Sequence, residues 1–222
     1  GATSPSILQH DVQVPYLNVG SRYTDFLNIK YIMVPRAYDP IGNTAPERLV
    51  RVEENAQQNY RIYENKTVLP RFYFVSQVRA LPGRESVLET IRSGSLDVGK
   101  TVILTSGDAN NAEILTGCKE KENGEVLITS YTPNRIELAT KTSCDAFLVS
   151  SEVYYPGWEA YIDDKKTDIY EGNLAFRTIF IPKGNHTIVY QYVPKIFVIG
   201  AAISLLTLLL VVRYIRRDRF TT

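Results

Sequence analysis

Short runs of alternating apolar and polar residues occupy most of the chain from residue 100 onward. A period of two places successive side chains on opposite faces and predicts half-buried strands. Turn-forming pairs such as Pro156-Gly157 and Asp163-Asp164 separate the runs. About eight or nine such strands with no helix between them predict an antiparallel β-sandwich over residues 99–194. The runs are "KTVILTS", "EILTGC", "GEVLITSYT", "NRIELATKT", "AFLVSSEVYY", "WEAYIDD", "KTDIYEG", "AFRTIFIP" and "HTIVYQYVP".

The N-terminal part of the chain has a mixed pattern. "IKYIMVP", "NYRIYEN" and "RFYFVSQVRAL" have the composition and alternation of strands, whereas "GRESVLETIRSG" places Val87, Leu88 and Ile91 at helical spacing between two glycines. Loops rich in turn residues connect these segments. We therefore predict a small α+β unit with loops over residues 1–98.

An uncharged apolar segment, residues 196–212, lies close to the C-terminus. As a helix it is roughly 25 Å long, and its flanking residues extend it toward the thickness of a bilayer. A buried core helix is the alternative, but the segment is apolar on every face. We predict a transmembrane helix over residues 195–215 and a basic tail over 216–222. Arginines next to a span favour the cytoplasmic side, so residues 1–194 are expected outside the cytoplasm, at the cytoplasmic membrane.

Composition narrows the class of protein. The net charge is +1, and the last ten residues contain four arginines against one aspartate, so the rest of the chain is close to neutral. A near-neutral body does not have the basic surface of a nucleic-acid-binding protein. The sequence contains no G-x-S-x-G, phosphate-binding glycine loop or H-E-x-x-H motif. We therefore predict no catalytic residue, metal ligand or cofactor in this chain, and the lipid bilayer as one partner.

Cys118 and Cys144 are the two cysteines. Outside the cytoplasm they are suited to a disulfide, which would stabilise the fold by about 3 kcal/mol if the geometry permits. Two free, half-buried thiols are the other interpretation, and the sequence does not decide between them.

Four aromatic residues lie within eight positions of "YYPGWEAY": Tyr154, Tyr155, Trp158 and Tyr161. Pro156-Gly157 fits the central positions of a type II turn between two strands. Trp158 would then share a face with Ala160, and Tyr161 would lie on the opposite face. The cluster is either the packed end of the sandwich or a platform on which a glycan stacks.

Glu152 and Arg177 are charged residues inside predicted strands. Glu152 interrupts the apolar run "FLVSSEVYY". Because a charge in a half-buried strand needs a partner, we predict a structural ion pair between the two.

Three segments together resemble the C-terminal portion of YfhO-type bacterial membrane proteins: "ITSYTPNRIEL", "SEVYYPGWEAYID" and "FRTIFIPKGNHTIVYQYVPKIFVIGAAISLL". Upstream, "FLNIKYIMVP" and "YENKTVLPRFYFV" are similar to the segment that precedes it in that family. Asp164 departs from the family pattern, whose hairpin turn usually reads "DGK". Aspartate tolerates the left-handed conformation moderately well, so the hairpin is expected to persist with slight strain.

The resemblance implies a polytopic membrane protein related to the C-type glycosyltransferases, which take a sugar from a lipid-phosphate carrier. The catalytic carboxylates of that superfamily lie in a region that this sequence does not include, so none is assigned here. The chain would supply the exported C-terminal domain and the last membrane helix. Its expected partners are the rest of its own polytopic chain and a cell-envelope glycan or polymer. The alternative is a membrane-anchored, non-catalytic module that binds carbohydrate or protein.

Overall fold

The structure is a computed structural model that describes residues 23–37, 47–105 and 124–219, with side chains described as far as residue 214. The chain divides into two compact units, Gly1–Leu69 and Pro70–Thr222. The boundary therefore falls after residue 69, whereas the sequence predicted it after residue 98. Contacts between strands account for the difference, because strands assigned from sequence to the first unit belong to the second.

The first unit contains a three-stranded antiparallel sheet. Its elements are α1 (Tyr23–Phe26), β1 (Tyr31–Pro35), β2 (Leu49–Asn55) and β3 (Tyr60–Asn65), and the strand order is β1-β3-β2. The sequence predicted β1 and β3 but not β2. Val34, Leu49 and Tyr63 form a small core on one face of the sheet.

A buried polar cluster supports this sheet. The Asp25 carboxylate lies 2.8 Å from the Arg48 guanidinium and accepts hydrogen bonds from Asn65 and Thr67, each at 2.9 Å. Asp25 and Asn65 are 6 % and 1 % exposed. Because several donors satisfy this one carboxylate oxygen, we interpret the cluster as structural.

The second unit contains two larger sheets whose inner faces share one core. The described strands are β4 (Phe72–Val75), β5 (Gln77–Leu81), β6 (Thr101–Thr105), β7 (Glu125–Thr132), β8 (Arg135–Thr142), β9 (Ala146–Val153), β10 (Trp158–Ile162), β11 (Lys165–Thr167), β12 (Tyr170–Gly172), β13 (Phe176–Ile181) and β14 (Gly184–Tyr192). One sheet has the order β11-β10-β14-β8-β7 and the other β12-β13-β9-β4. All pairings in both are antiparallel, as the alternating pattern predicted.

The shared core identifies the two sheets as a β-sandwich. Leu138 and Ile188 of the first sheet pack with Leu148 and Ile179 of the second, and all four side chains are fully buried. Burial alternates along β8, whereas β9 and β13 are buried at most of their residues and form the centre of the second sheet. The predicted fold class is confirmed.

A parallel pair of strands accompanies the sandwich. β5 and β6 pair in parallel, and helix α2 (Gly83–Ser93) connects them. Gly94 ends α2 in the left-handed conformation, with φ of 64°. The segment "KTVILTS" thus belongs to a βαβ unit, not to an antiparallel sheet as predicted. Its strand is buried at nearly every residue, which is typical of strands in parallel sheets. The predicted run "EILTGC" lies outside the described residues.

A tight turn at Asp163-Asp164 joins β10 to β11. Asp163 and Asp164 both have positive φ, 47° and 65°, which defines a type I′ hairpin between β10 and β11. The Asp163 carboxylate also contacts His186 Nδ1 at 2.7 Å and accepts the Thr187 N–H. The aspartates therefore form a hairpin tip, the interpretation that the sequence favoured.

A long helix, α3 (Lys195–Arg219), follows β14 after two residues. Residues 195–214 are long and apolar enough to cross a bilayer, and this stretch is not buried in the protein. At about 1.5 Å per residue its twenty residues extend roughly 30 Å, the thickness of the hydrocarbon core. The lack of burial among the described residues favours a membrane span over a core helix.

Candidate functional site

A tight turn joins β9 to β10 and orders the aromatic cluster. Gly157 has φ of +103°, and the Trp158 N–H donates to the Tyr155 carbonyl at 3.4 Å. A proline followed by a residue of positive φ is the type II geometry that the sequence predicted. The turn leaves Tyr155 exposed and Trp158 half-buried.

Three rings form a row along one edge of the sandwich. The ring centroids of Trp158 and Tyr192 are 5.6 Å apart, and those of Tyr155 and Tyr192 are 6.4 Å apart. Tyr192 is the register partner of Trp158 on β14. Tyr192 was not predicted from sequence, although this residue ends an alternating strand just before the apolar helix.

Tyr161 is not part of this row. Its hydroxyl donates to Glu159 at 2.8 Å, so both residues lie on the face opposite Trp158. Ala160 is fully buried and points into the core together with Trp158. This alternation agrees with the predicted turn, but it separates Tyr161 from the other aromatic residues. A platform made of all four predicted rings is therefore wrong.

A buried arginine covers one face of the tryptophan. The Arg177 guanidinium carbon lies 3.9 Å from the Trp158 ring centroid and 5.4 Å from that of Tyr190. Arg177 is 3 % exposed. Cation–π contact of this kind is strongest when the cation is desolvated, as it is here. The face of Trp158 that Arg177 covers is therefore closed to a sugar.

The same arginine contacts Glu152, the partner predicted from sequence. Nη2 of Arg177 lies 3.3 Å from Oε2 of Glu152. The register of β9 and β13 shifts between Phe176 and Thr178, which marks a β-bulge at this point. A bulge redirects side chains locally, so it explains how two charged residues of adjacent strands meet at the sandwich edge.

Glu152 has two further partners that the sequence did not predict. Its Oε1 atom accepts hydrogen bonds from the Tyr131 hydroxyl at 2.6 Å and from Arg71 at 3.1 Å. Burial and the hydrogen bond to Glu152 raise the pKa of Tyr131. Tyr131 lies in β7, and Arg71 is the residue before β4. Both are far from Glu152 in sequence, so no local signal marks them.

The cluster has an excess of donors and of positive charge. Two guanidinium groups, of Arg71 and Arg177, face one carboxylate. Nε and Nη1 of Arg177 have no hydrogen-bond partner among the described residues. Desolvation lowers the pKa of Arg177, but a guanidinium starts so high that it remains charged at neutral pH. The cluster thus carries an excess of positive charge at the edge of the sandwich.

Two grooves flank the aromatic row. The first, which we call the arginine groove, has a volume of about 450 Å³, and its walls include Asn134, Glu152, Tyr155, Trp158 and Arg177. The second, which we call the juxtamembrane groove, has a volume of about 670 Å³ and extends from the turn to the first residues of α3. Tyr154 lines the second groove only.

Glu159 links the sheet to the start of the membrane helix. Its Oε1 atom lies 2.8 Å from Nζ of both Lys166 and Lys195, while Oε2 accepts the Tyr161 hydroxyl. The hydrogen bond from Lys166, followed by those from Lys195 and Tyr161, lowers the pKa of Glu159 to about 2. The carboxylate is therefore ionised throughout the physiological range.

This geometry predicts a pH-dependent stability. The usual pKa of a glutamate is 4.5, so stabilisation by Glu159 is complete above that pH and is lost as pH falls toward about 2. In thermal unfolding of the chain in detergent, Glu159→Gln should lower the midpoint at pH 7. The difference from wild type should vanish near pH 2.

Glu125 provides the control for this experiment. It is exposed at the start of β7, and Glu125→Gln should leave the midpoint unchanged at both pH values. A constant difference between Glu159→Gln and wild type from pH 7 to pH 2 would contradict the assignment.

Cysteine and metal chemistry add little to this site. Cys144 is disulfide-bonded, and its predicted partner Cys118 lies outside the described residues. Across the part of the chain that the structure describes, no three His, Cys, Asp or Glu side chains are grouped to hold a metal ion.

The sandwich, the exposed apolar helix that follows it and the aromatic edge between them define a class: a β-domain attached to a membrane. Residues 109–204 match the family model described as "Bacterial membrane protein YfhO". Residues 109–204 are thus similar to the YfhO family of bacterial membrane proteins, and the resemblance noted from sequence is confirmed. The matched range contains the aromatic turn and the first half of α3.

A curated relative supports the same assignment. The chain is 36 % identical over 90 residues to the uncharacterized protein YfhO of Bacillus subtilis (strain 168). The alignment covers 40 % of this chain and 10 % of that protein, so this chain spans about a tenth of its length. No solved structure matches the chain.

Proposed function

We propose that the chain is the extracytoplasmic C-terminal domain and last helix of a membrane glycosyltransferase that uses a lipid-linked sugar, and that it helps to hold the acceptor glycan. The arginine groove is the observation that supports this proposal best. It combines the exposed ring of Tyr155 and the half-buried ring of Tyr192 with the Arg177 guanidinium and the Glu152 carboxylate, the types of group that contact sugar rings and hydroxyls.

The position of the groove supports a membrane-bound acceptor. Tyr192 precedes the first residue of α3 by three positions, and an extended chain rises about 3.3 Å per residue. A glycan at Tyr192 would thus lie within roughly 10 Å of the start of the helix. A transferase whose donor is attached to a lipid needs its acceptor at this height above the bilayer.

Charge supports the proposed orientation. Four arginines follow the apolar segment, and Lys195 is the only charged residue at its other end. An excess of arginine next to a span favours the cytoplasmic side. In this topology the sandwich and both grooves face outward, where cell-envelope polymers are built.

Trp158 gives a direct test of glycan binding, because it is the only tryptophan in the chain and lines the groove. The full chain in nanodiscs would be titrated with a neutral chitin oligosaccharide and with an oligogalacturonide while Trp158 fluorescence is recorded. We expect a saturable change with at least one of them. Tyr155→Ala should weaken the apparent Kd about tenfold, the equivalent of about 1.4 kcal/mol for one lost stacking ring.

Tyr31 is a matched control for Tyr155. Both are tyrosines of similar exposure, 56 % and 58 %, but Tyr31 lies on β1 of the first unit. Tyr31→Ala should leave the titration unchanged. Equal losses in the two variants, or no saturable signal with either glycan, would contradict glycan binding at this groove.

The alternative is a non-catalytic, membrane-anchored module that binds carbohydrate or protein. The arginine groove favours it in one respect: among the described residues that line it, Glu152 is the one carboxylate, whereas glycosidic chemistry uses a pair. The coding sequence upstream discriminates between the two. Many hydrophobic spans with an acidic first outer loop support the transferase, whereas a signal peptide alone supports the anchored module.

A further inference from the structure

Strand β7 forms one edge of the five-stranded sheet. It pairs with β8 on one side, and no strand of the described ranges pairs with its other side. In an antiparallel pair, part of the N–H and C=O groups of an edge strand bond to the neighbouring strand, and the others point away from it. β7 is eight residues long, and residues 126–132 carry no charge. It therefore presents a row of backbone donors and acceptors along an uncharged edge.

Apolar side chains are open to solvent on both faces of this edge. Leu127 is 65 % exposed, and its register partner Ala139 is exposed as well, so both lie on the outer face of the sheet. Ile128 pairs with the fully buried Leu138, which places it on the inner face, yet Ile128 is 41 % exposed. The edge thus combines backbone groups with apolar surface on either side of them.

The other described edges have the features that protect natural sheets from adding a strand, which are short length, charge, proline and burial. β11, at the opposite edge of the same sheet, has three residues, two of them lysines. β2 contains Arg51, Glu53 and Glu54, β1 ends at Pro35, and β5 contains Arg79. β12 has three residues, and three of the four residues of β4 are buried.

β7 has one protective feature, a bulge between Ile128 and Ser130. Beyond the bulge, Tyr131 is held by Glu152 and Arg71. Residues 125–128 precede the bulge and pair with β8 in regular register. They are the open part of the edge, and they match in length the four-residue strand β4, which pairs with β9.

The direction of the strands disfavours a second copy of β7 as the occupant. β14 and β7 are both antiparallel to β8, so they run in the same direction, and β14 leads into α3 after two residues. Antiparallel pairing of β7 with β7 of another copy would reverse β14 in that copy. The two α3 helices would then leave from opposite ends of the joined sheet, whereas both must enter one membrane.

We propose that residues 125–128 of β7 bind an extended, uncharged segment of a different protein, which adds a strand to the five-stranded sheet. A polypeptide strand is the ligand that satisfies a row of alternating N–H and C=O groups. Successive side chains of the added strand would pack against Leu127 on one face and Ile128 on the other, so β-branched residues are preferred. The proposal does not depend on glycan transfer.

A synthetic strand tests this binding mode. The full chain in nanodiscs would be titrated against a fluorescein-labelled peptide with a core of alternating threonine and valine, and fluorescence anisotropy would be recorded. The control peptide has the same side chains but is N-methylated at every core amide. We expect a saturable rise in anisotropy with the first peptide and none with the second, because N-methylation removes the backbone donors that strand pairing needs.

Leu127→Lys should weaken the apparent Kd of the peptide about fivefold, because it places a charge beside apolar side chains of the added strand. Leu127→Thr, which is uncharged and β-branched, should retain binding and thereby separate the edge from loss of fold. Val52 is the matched control, since it is 49 % exposed on the edge strand β2 but lies between Arg51 and Glu53. Val52→Lys should leave the titration unchanged.

Hydrogen exchange tests whether the edge is open in the free chain. Outward-pointing amides of residues 125–128 should exchange rapidly and become protected when the peptide binds. Slow exchange of all these amides in the free chain would overturn the proposal, because the chain itself would cover the edge. Equal binding of the N-methylated peptide, or no saturable binding of the unmodified one, would exclude strand addition. A dimer that Leu127→Lys dissociates would assign the edge to a second copy.

Discussion

Replacing Glu152 with glutamine will destabilise the sandwich by about 3 kcal/mol, because it leaves the buried Arg177 guanidinium without a carboxylate. Arg177 is 3 % exposed, and Nε and Nη1 already have no partner among the described residues. Denaturant unfolding of the chain in detergent, followed by Trp158 fluorescence, measures this loss. The probe is well placed, since Trp158 lies directly against Arg177.

Arg71 is the matched control for this change. It contacts the same carboxylate, but its side chain is 44 % exposed. Arg71→Gln should therefore cost about 1 kcal/mol or less, the usual range for a solvated ion pair. A double-mutant cycle between Glu152 and Arg177 should give a coupling larger than that between Glu152 and Arg71. Equal costs for Glu152→Gln and Arg71→Gln would contradict the buried pair.

Replacing Gly157 with alanine will destabilise the chain by about 2 kcal/mol and will disturb both grooves. Gly157 has φ of +103°, which side chains other than glycine rarely adopt. A Cβ atom would also lie 2.8 Å from Cε2 of Tyr192, so the ring must move. Because Tyr192 borders the arginine groove, glycan binding there should weaken.

Gly94 is the control that separates backbone strain from the clash with Tyr192. It also has a positive φ, +64°, but a Cβ atom there would meet nothing within 4 Å. Gly94→Ala should cost about 1 kcal/mol from backbone strain alone. The excess in Gly157→Ala then measures the displacement of Tyr192. Equal losses in the two variants, with unchanged Trp158 fluorescence, would show that the ring yields freely and does not shape the grooves.

Membrane attachment and family depend on local features of the sequence, and both were predictable. The apolar helix is recognised by its length and by the arginines after it, whatever its neighbours are. The sequence around "YYPGW" resembles YfhO proteins, and the family model matches residues 109–204. The Pro156-Gly157 turn was equally predictable, because proline and glycine restrict the backbone at their own positions.

The residues of the grooves and of the Glu152 cluster were only partly predictable. Glu152 and Arg177 were noticed because a charge is unusual inside an apolar strand. Arg71, Tyr131 and Tyr192 were missed, because their own segments are ordinary strands with ordinary alternation. They become part of the site only through pairings between strands far apart in the chain, such as Trp158 with Tyr192.

The sequence alone thus determined the features that depend on residues close together in the chain. These are strand periodicity, turn geometry, an apolar span and the charge that follows it. The tertiary structure decided which strands share a sheet. It moved Phe72–Val75 into the sandwich and Thr101–Thr105 out of it. It also placed Tyr192 beside Trp158 and the Arg177 guanidinium on the tryptophan ring. Sheet register and bulges fix these contacts, and both depend on how distant strands bury their apolar faces together.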